Sequence, residues 1–229
     1  MISHLSIVVP AYDEEANLAR TVLAADEVLR DRVAEQIEWI LVDDGSTDGT
    51  WSEVERLASM IAGAVSVRHQ VNRGLGAAIW TGMARASGEW CTWMPADGQF
   101  VPHAFVDMAQ MVDRADLVLL MREEGRRKWW RQILTIGFYG WIRVMLGFDP
   151  YGYSGVFLVR RELVLDIPLH STTGMQNYAI AIYGQRRGGR VRQVRTVIRP
   201  RLSGRSKVTN LTTMIKTFVD IIRFRLSVR

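Results

Sequence analysis

Carboxylates, glycines and amides recur in this chain just past the ends of apolar runs. Pro10, Tyr12, Asp13 and Glu14 follow LSIVV, and Asp43, Asp44, Ser46 and Asp48 follow WILV. Asn72, Arg73, Gly74 and Gly76 come after VSVRH, Asp97 and Gln99 after WCTWMP, and Arg122 after LVLLM. Carboxylates in such places accept hydrogen bonds from ligand N–H and hydroxyl groups, and glycines let backbone approach a ligand closely. The same residue types also build turns, because glycine accepts positive φ and aspartate bonds its own backbone. WMPADGQF, residues 93–100, carries both readings at once. Taken alone, its Asp-Gly pair is turn chemistry.

To act together these residues need a scaffold that delivers five strand ends to one edge. The first 120 residues supply it. LSIVVP, EWILVDD, VSVRH, EWCTWMP and ADLVLLM read as buried strands. Between them EEANLARTVLAADEVLRD, TWSEVERLASMIA, GAAIWTGMARA and VPHAFVDMAQMVDR read as helices, with Asp48 or Thr50 as N-cap of the second. Such alternation implies an α/β fold with a parallel sheet covered on both faces, whose ligands gather at the carboxyl ends of the strands.

After residue 122 the alternation breaks. A basic, tryptophan-rich amphipathic stretch (126–146) precedes YGYSGVFLVRREL, which reads as strand, turn and helix. MQNYAIAIYGQRRG reads as a helix and VRQVRTVIRP as a strand. In the tail, Leu211, Met214, Ile215, Phe218, Ile222 and Leu226 form one helical stripe, with Lys216 and Arg223 elsewhere. No internal repeat or low-complexity linker interrupts the chain. The expected organisation is one domain (1–209), with a first half at about 1–122 and a second at 123–209, followed by an amphipathic helix over 210–229.

Composition narrows the function classes. Hydrophobic residues make up 48 % and charged residues 23 %, which excludes a disordered chain. The lone Cys91 excludes an internal disulfide, and its place in a strand marks it as an inert core thiol. The four histidines show no metal-cluster spacing. A net charge of +5 is concentrated in 122–132, 184–207 and the tail. It suits a nucleic-acid surface, an anionic membrane surface, or pockets for phosphate-bearing small molecules. No recognition-helix or base-stacking motif supports nucleic acid. No signal peptide is expected, and no stretch reaches the roughly 18 uninterrupted apolar residues of a spanning helix.

SIVVPAYDEEANL, LVDDGSTDGT, NRGLGAAIWTGMARASGEW and PADGQ occur in order at the spacing of the family-two inverting glycosyltransferases, which the chain resembles over roughly residues 4 to 210. YSGVFLVRREL and RLSGRSKV resemble motifs of the polyprenyl-phosphate branch, typified by dolichyl-phosphate mannose synthase. The resemblance implies the GT-A fold, a Rossmann-like, mostly parallel sheet with helices on both faces.

It also implies roles. Pro10, Tyr12, Glu14, Asp43, Asp44, Gly74, Asp97, Gln99 and Arg122 would bind a UDP- or GDP-linked sugar donor, with Gly76 admitting the diphosphate at a helix start. Asp97 and Gln99 would hold a divalent cation, magnesium or manganese. Arg131, Ser154, Gly155, Arg201, Ser206 and Lys207 would border a polyprenyl phosphate or related lipid. Asp97, Arg131, Arg201 and Lys207 would carry the catalytic electrostatics. The chain departs from the pattern twice. Pro95 replaces the first carboxylate of the family's Asp-x-Asp, and no glutamate stands near GMQNYAIAI, where the branch has a Phe-Gln-x-Glu-like run.

The expectation is a cytoplasmic enzyme, peripheral at an anionic membrane surface, that moves a sugar from its nucleotide onto a polyprenyl phosphate with inversion. The alternative is a relative that keeps nucleotide-sugar binding or a scaffolding role without turnover. A membrane-protein partner and a homo-oligomer both fit; a nucleic-acid partner does not.

Overall fold

The computed structural model describes residues 1–123, 129–165, 167, 171–200 and 211–227. The elements run β1 (Ile2–Ala11), α1 (Glu15–Leu29), β2 (Ala34–Asp43), α2 (Thr50–Met60), β3 (Ala64–Arg68), α3 (Leu75–Met83), β4 (Trp90–Trp93) and α4 (His103–Ala109). They continue with β5 (Leu117–Arg122), α5 (Trp129–Leu146), β6 (Tyr153–Arg160), α6 (Met175–Arg186), β7 (Val191–Thr196) and α7 (Leu211–Ser227). A single 3-10 turn, Arg161–Leu163, stands where a helix was expected after β6.

The described strands form one seven-stranded sheet in the order β3-β2-β1-β4-β6-β5-β7. β1 lies parallel between β2 and β4, β3 extends β2, and β7 is parallel to β5. β6 alone runs against its neighbours, inserted antiparallel between β4 and β5. The expected parallel sheet therefore holds for six strands. Pairing of Met121 with Tyr153 sets the start of β6 beside the end of β5, so Ser154 and Gly155 join the rim formed by the other strands' carboxyl ends.

Continuous apolar stretches in β1 and β2 are buried on both faces, as central parallel strands require. α1 buries Leu18, Val22, Ala25 and Leu29, the one-face spacing of an amphipathic helix. Helix α1 touches both α2 and α4 in one layer, and α3, α6, α7 and α5 follow one another in contact in a second.

Three local expectations change. α4 stops at Ala109, with turns over 110–114. Gly49 is the N-cap of α2 and makes no side-chain cap; Asp48 reaches over it to accept the Thr50 N–H at 3.0 Å. In α7, the residues that pack inward are Ile221 and Phe224, while Phe218, Ile222 and Leu226 from the expected stripe are exposed. Ile222 and Leu226 face away from the core, while the Phe218 ring rests against Trp141 of α5 with centroids 4.7 Å apart.

Candidate active site

Where β1 ends, Asp13 turns the chain at φ 46°, a left-handed conformation that aspartate tolerates better than most residues. Its N–H donates to Ser46 Oγ at 2.9 Å, and the Thr47 N–H and hydroxyl donate to Asp13 Oδ1 at 2.8 and 3.2 Å. The Glu14 N–H donates to Thr50 Oγ1 at 2.8 Å, and Glu14 Oε2 accepts from Asn17 Nδ2 at 2.7 Å. The loops after β1 and β2 are thus laced together, with Pro10 buried and Tyr12 half-buried beside them.

Asp43 ends β2 with its side chain fully enclosed. Oδ1 accepts the Ser46 N–H at 3.0 Å. Oδ2 is buried without a hydrogen bond, with Arg68 Nε 3.4 Å away as an ion pair. The Arg68 guanidinium lies 5.0 Å over the Trp51 ring. An enclosed carboxylate oxygen left unbonded costs free energy, so an N–H or hydroxyl donor arriving there would be favoured.

Asp44 is engaged differently. Its Oδ1 accepts from His69 Nδ1 at 2.6 Å and from the Arg73 N–H at 3.0 Å, and its Oδ2 accepts the Gly74 N–H at 2.8 Å. His69 Nε2 lies 3.0 Å from Thr81 Oγ1. Three of the roughly four acceptor sites of this carboxylate are taken, one by His69 and two by the turn before α3, leaving it a positioning rather than a ligand-facing geometry.

The glycines of that turn also make a different approach from the expected one. Gly74 has φ 94°, and a Cβ there would stand 2.4 Å from Thr172 O. A Cβ on Gly76 would stand 2.2 Å from Ser171 O and 2.3 Å from Thr173 O. The Gly76 N–H donates to Thr172 O at 3.2 Å. What presses on the start of α3 is the loop 171–173 preceding α6, and it takes one of the helix N–H groups expected to face a diphosphate.

Asp97 is buried, and its Oδ1 accepts the Gln99 N–H at 3.1 Å across Gly98 at φ 70°. This is the turn read from the sequence, and it fixes the carboxylate at the rim. Gln99 Nε2 donates to Arg199 O at 3.3 Å, and the Arg199 N–H returns to Gln99 O at 2.9 Å, tying this loop to the end of β7. No group of three or more His, Cys, Asp or Glu that could hold a metal occurs among the described residues.

On the other half of the rim, Arg122 is exposed and its N–H donates to Gly152 O at 2.6 Å. Ser154 Oγ donates to Leu120 O at 2.6 Å, and Gly155 O accepts from Trp93 Nε1 at 2.9 Å. Phe148, Tyr153 and Tyr178 meet edge to face with centroids 5.5 to 6.1 Å apart. Burial raises the Tyr153 and Tyr178 hydroxyls well above their ordinary range, against a smaller opposing effect of Arg122 on Tyr178. Neither can serve as a base near neutral pH. Arg131 is described only by its place in the first turn of α5, and Arg201, Ser206 and Lys207 lie outside the described residues.

The profile of glycosyl transferase family 2 matches residues 6–167, most of the chain and every strand end of this rim up to β6. The chain belongs to glycosyl transferase family 2. Among family relatives, an undecaprenyl-phosphate 4-deoxy-4-formamido-L-arabinose transferase of Aeromonas hydrophila is 34 % identical over 174 residues, 73 % of this chain and 52 % of that protein. The dolichol-phosphate mannosyltransferase of Pyrococcus furiosus is 28 % identical over 177 residues, 72 % of this chain and 49 % of that one. The chain spans about half the length of these curated relatives. In fold it is similar to glucosyl-3-phosphoglycerate synthase from Mycobacterium tuberculosis in complex with Mn2+, UDP-glucose and phosphoglyceric acid. That likeness has a TM-score of 0.72 at 22 % identity and covers 97 % of this chain and 80 % of that one. It establishes the GT-A fold.

Within this family-two chain several rim residues escaped the sequence reading. Trp93 ties β4 to Gly155. Asn177 lies at Gly155, where a Cβ would come within 3.2 Å of its Nδ2, and its buried Oδ1 has no partner. Ser171, Thr173 and Asp220 form a hydroxyl–carboxylate cluster behind α3. Their spacing along the chain carries no signal, because each partner is brought in by topology.

Proposed function

We propose that this chain transfers a sugar from a nucleotide diphosphate to a polyprenyl phosphate, or a related membrane lipid, with inversion at the anomeric carbon. The observation that carries the proposal is the rim itself. The enclosed Asp43 and the buried Asp97 lie on the edge to which β6 brings Ser154 and Gly155. The relatives' names, undecaprenyl-phosphate and dolichol-phosphate transferases, support the acceptor class.

In this reading Asp43 accepts from the base or ribose of the donor beside Pro10, Tyr12 and Glu14, and Asp44 holds the turn at Gly74. Asp97, steadied by the Gln99 N–H, offers carboxylate oxygen, and Gln99 an amide oxygen, both suited to a hard cation such as magnesium or manganese. So small a set would suffice, even with Pro95 in place of the first carboxylate, because donor phosphates and water would supply the remaining oxygen ligands. When bound, the cation neutralises charge on the departing diphosphate. An acceptor phosphate oxygen attacks the anomeric carbon as the bond to the donor's diphosphate oxygen breaks and that oxygen keeps the electron pair. A phosphate monoester, with a second pKa of about 6, needs no general base, in keeping with the absence of a glutamate from the run GMQNYAIAI. Arg122, Arg131, Arg201 and Lys207 would neutralise and align the phosphates, with Ser154, Gly155 and Ser206 bordering the acceptor.

The proposed site of action is the cytoplasmic membrane surface. No helix among the described residues is long and apolar enough to cross a membrane. α7 instead exposes Phe218, Val219, Ile222 and Leu226 together with Lys216, Arg223 and Arg225, the composition of an interfacial helix.

Pro95 favours one rival, a relative that binds donor without turnover. Incubating the chain with membranes and a panel of radiolabelled UDP- and GDP-sugars, then extracting lipid, separates the two. Label in the lipid phase supports transfer. Donor binding with neither transfer nor hydrolysis supports the rival.

A further inference from the structure

α7 carries a single acid. Between Leu211 and Arg229 every other charged side chain is lysine or arginine, yet Asp220 stands in the middle of the helix. It does not serve as a solvated counter-charge. Its Oδ2 accepts from Ser171 Oγ at 2.5 Å and from Thr173 Oγ1 at 3.0 Å, in a half-buried setting. The same two hydroxyls lie 3.0 Å apart, and they accept the Thr173 and Met175 N–H groups at 3.1 and 3.3 Å. The Ser171 N–H is held in turn by Gln176 Oε1 at 2.9 Å. One carboxylate oxygen thus anchors a loop that is tied down by its own hydroxyls and by Gln176.

The other side of that loop is the start of α3. Thr172 O accepts the Gly76 N–H, and the carbonyls of Ser171 and Thr173 occupy the space where a side chain at Gly76 would be. Immediately upstream, Gly74 and Arg73 are held by Asp44. A continuous line of contacts therefore runs from Asp220 through 171–173 to the Asn72–Gly76 turn.

We infer that Asp220 is a positioning residue, through which the seating of α7 sets the conformation of the donor-side turn at Gly74–Gly76. The inference rests on the glycosyltransferase reading only for the claim that this turn faces the donor. The seating of α7 does not itself need Asp220. Ile221 and Phe224 are buried, and the Phe224 ring meets Tyr183 of α6 edge to face at 5.6 Å. Removing the carboxylate therefore releases the loop without undocking the helix, and alanine is a better helix former than aspartate.

The test compares wild type, Asp220→Ala and Asp220→Asn in the full chain by amide hydrogen exchange and by steady-state transfer kinetics. Because hydrogen bonds to a charged group are lost, exchange at the Gly76 and Ala78 amides in Asp220→Ala should rise about tenfold. Amides of Ile221–Phe224 should keep their protection. The donor KM should rise by a similar factor with kcat little changed, since the effect is on donor seating rather than on the reacting atoms. Asp220→Asn, which keeps one acceptor oxygen, should fall between. Unchanged exchange at Gly76 in Asp220→Ala overturns the inference, as does raised exchange with an unchanged donor KM. A wild-type chain that transfers no sugar sinks the proposed function, while the exchange arm still decides whether the tether exists.

Discussion

Neighbouring carboxylates at the end of β2 do different work. Asp43 keeps one enclosed oxygen without a hydrogen bond, whereas Asp44 gives both oxygens to His69 and the Arg73–Gly74 backbone. In the sequence the two are adjacent and indistinguishable, and only the long-range partners separate them. Cys91 shows the reverse case, where a residue's fate was legible at once. Its strand setting alone marks it as inert, and it is fully buried in β4, where desolvation pushes its thiol up to about 12. Since the thiolate is the reactive form, iodoacetamide at pH 8 should leave Cys91 unmodified in the folded chain and alkylate it in denaturant. Stoichiometric labelling of the folded chain would contradict this burial.

Among the elements, β1, β2, α1 and α2 were legible because apolar runs and helical stripes are local patterns. The antiparallel insertion of β6 was not, because no local pattern says that the strand after α5 enters from the rim. It is held there at the far edge too. Asp116, just before β5, accepts from Arg160 of β6 at 3.2 Å and from Arg190, just before β7, at 2.9 Å. The Arg190 hydrogen bond, with help from Arg160, holds the Asp116 carboxyl well below its ordinary 3.8. The sign follows: a depressed carboxyl stabilises the fold above the ordinary value and loses that contribution as pH falls toward the folded one. In urea titrations, Asp116→Asn should flatten the acid limb of the stability profile below pH 3.8. An unchanged acid limb would remove this clasp. The contact of α3 with the loop 171–173 was equally hidden, and Gly76→Ala tests it. Its Cβ would meet two backbone carbonyls, so overpacking should lower stability by about 1–3 kcal/mol. A stability equal to wild type would mean the loop yields freely.

For the molecule as a whole, the charge asymmetry seen in the sequence becomes a placement. Six strands and the start of β6 deliver polar groups to one rim, and α7 turns Ile222 and Leu226 outward beside basic residues. The chain should bind anionic liposomes and detach as salt rises, because exposed charges are screened over about 8 Å at physiological ionic strength. Deleting 210–229 should weaken that binding, and equal binding by both forms would give α7 another role. The central claim is sugar transfer assisted by Asp97. The most direct measurement is the rate at which labelled sugar enters extractable lipid, for wild type and Asp97→Asn, with and without chelator. The account predicts transfer by wild type that chelation abolishes and manganese or magnesium restores, and a folded but inactive Asp97→Asn. Full activity of Asp97→Asn, or indifference of the wild type to chelator, would contradict it.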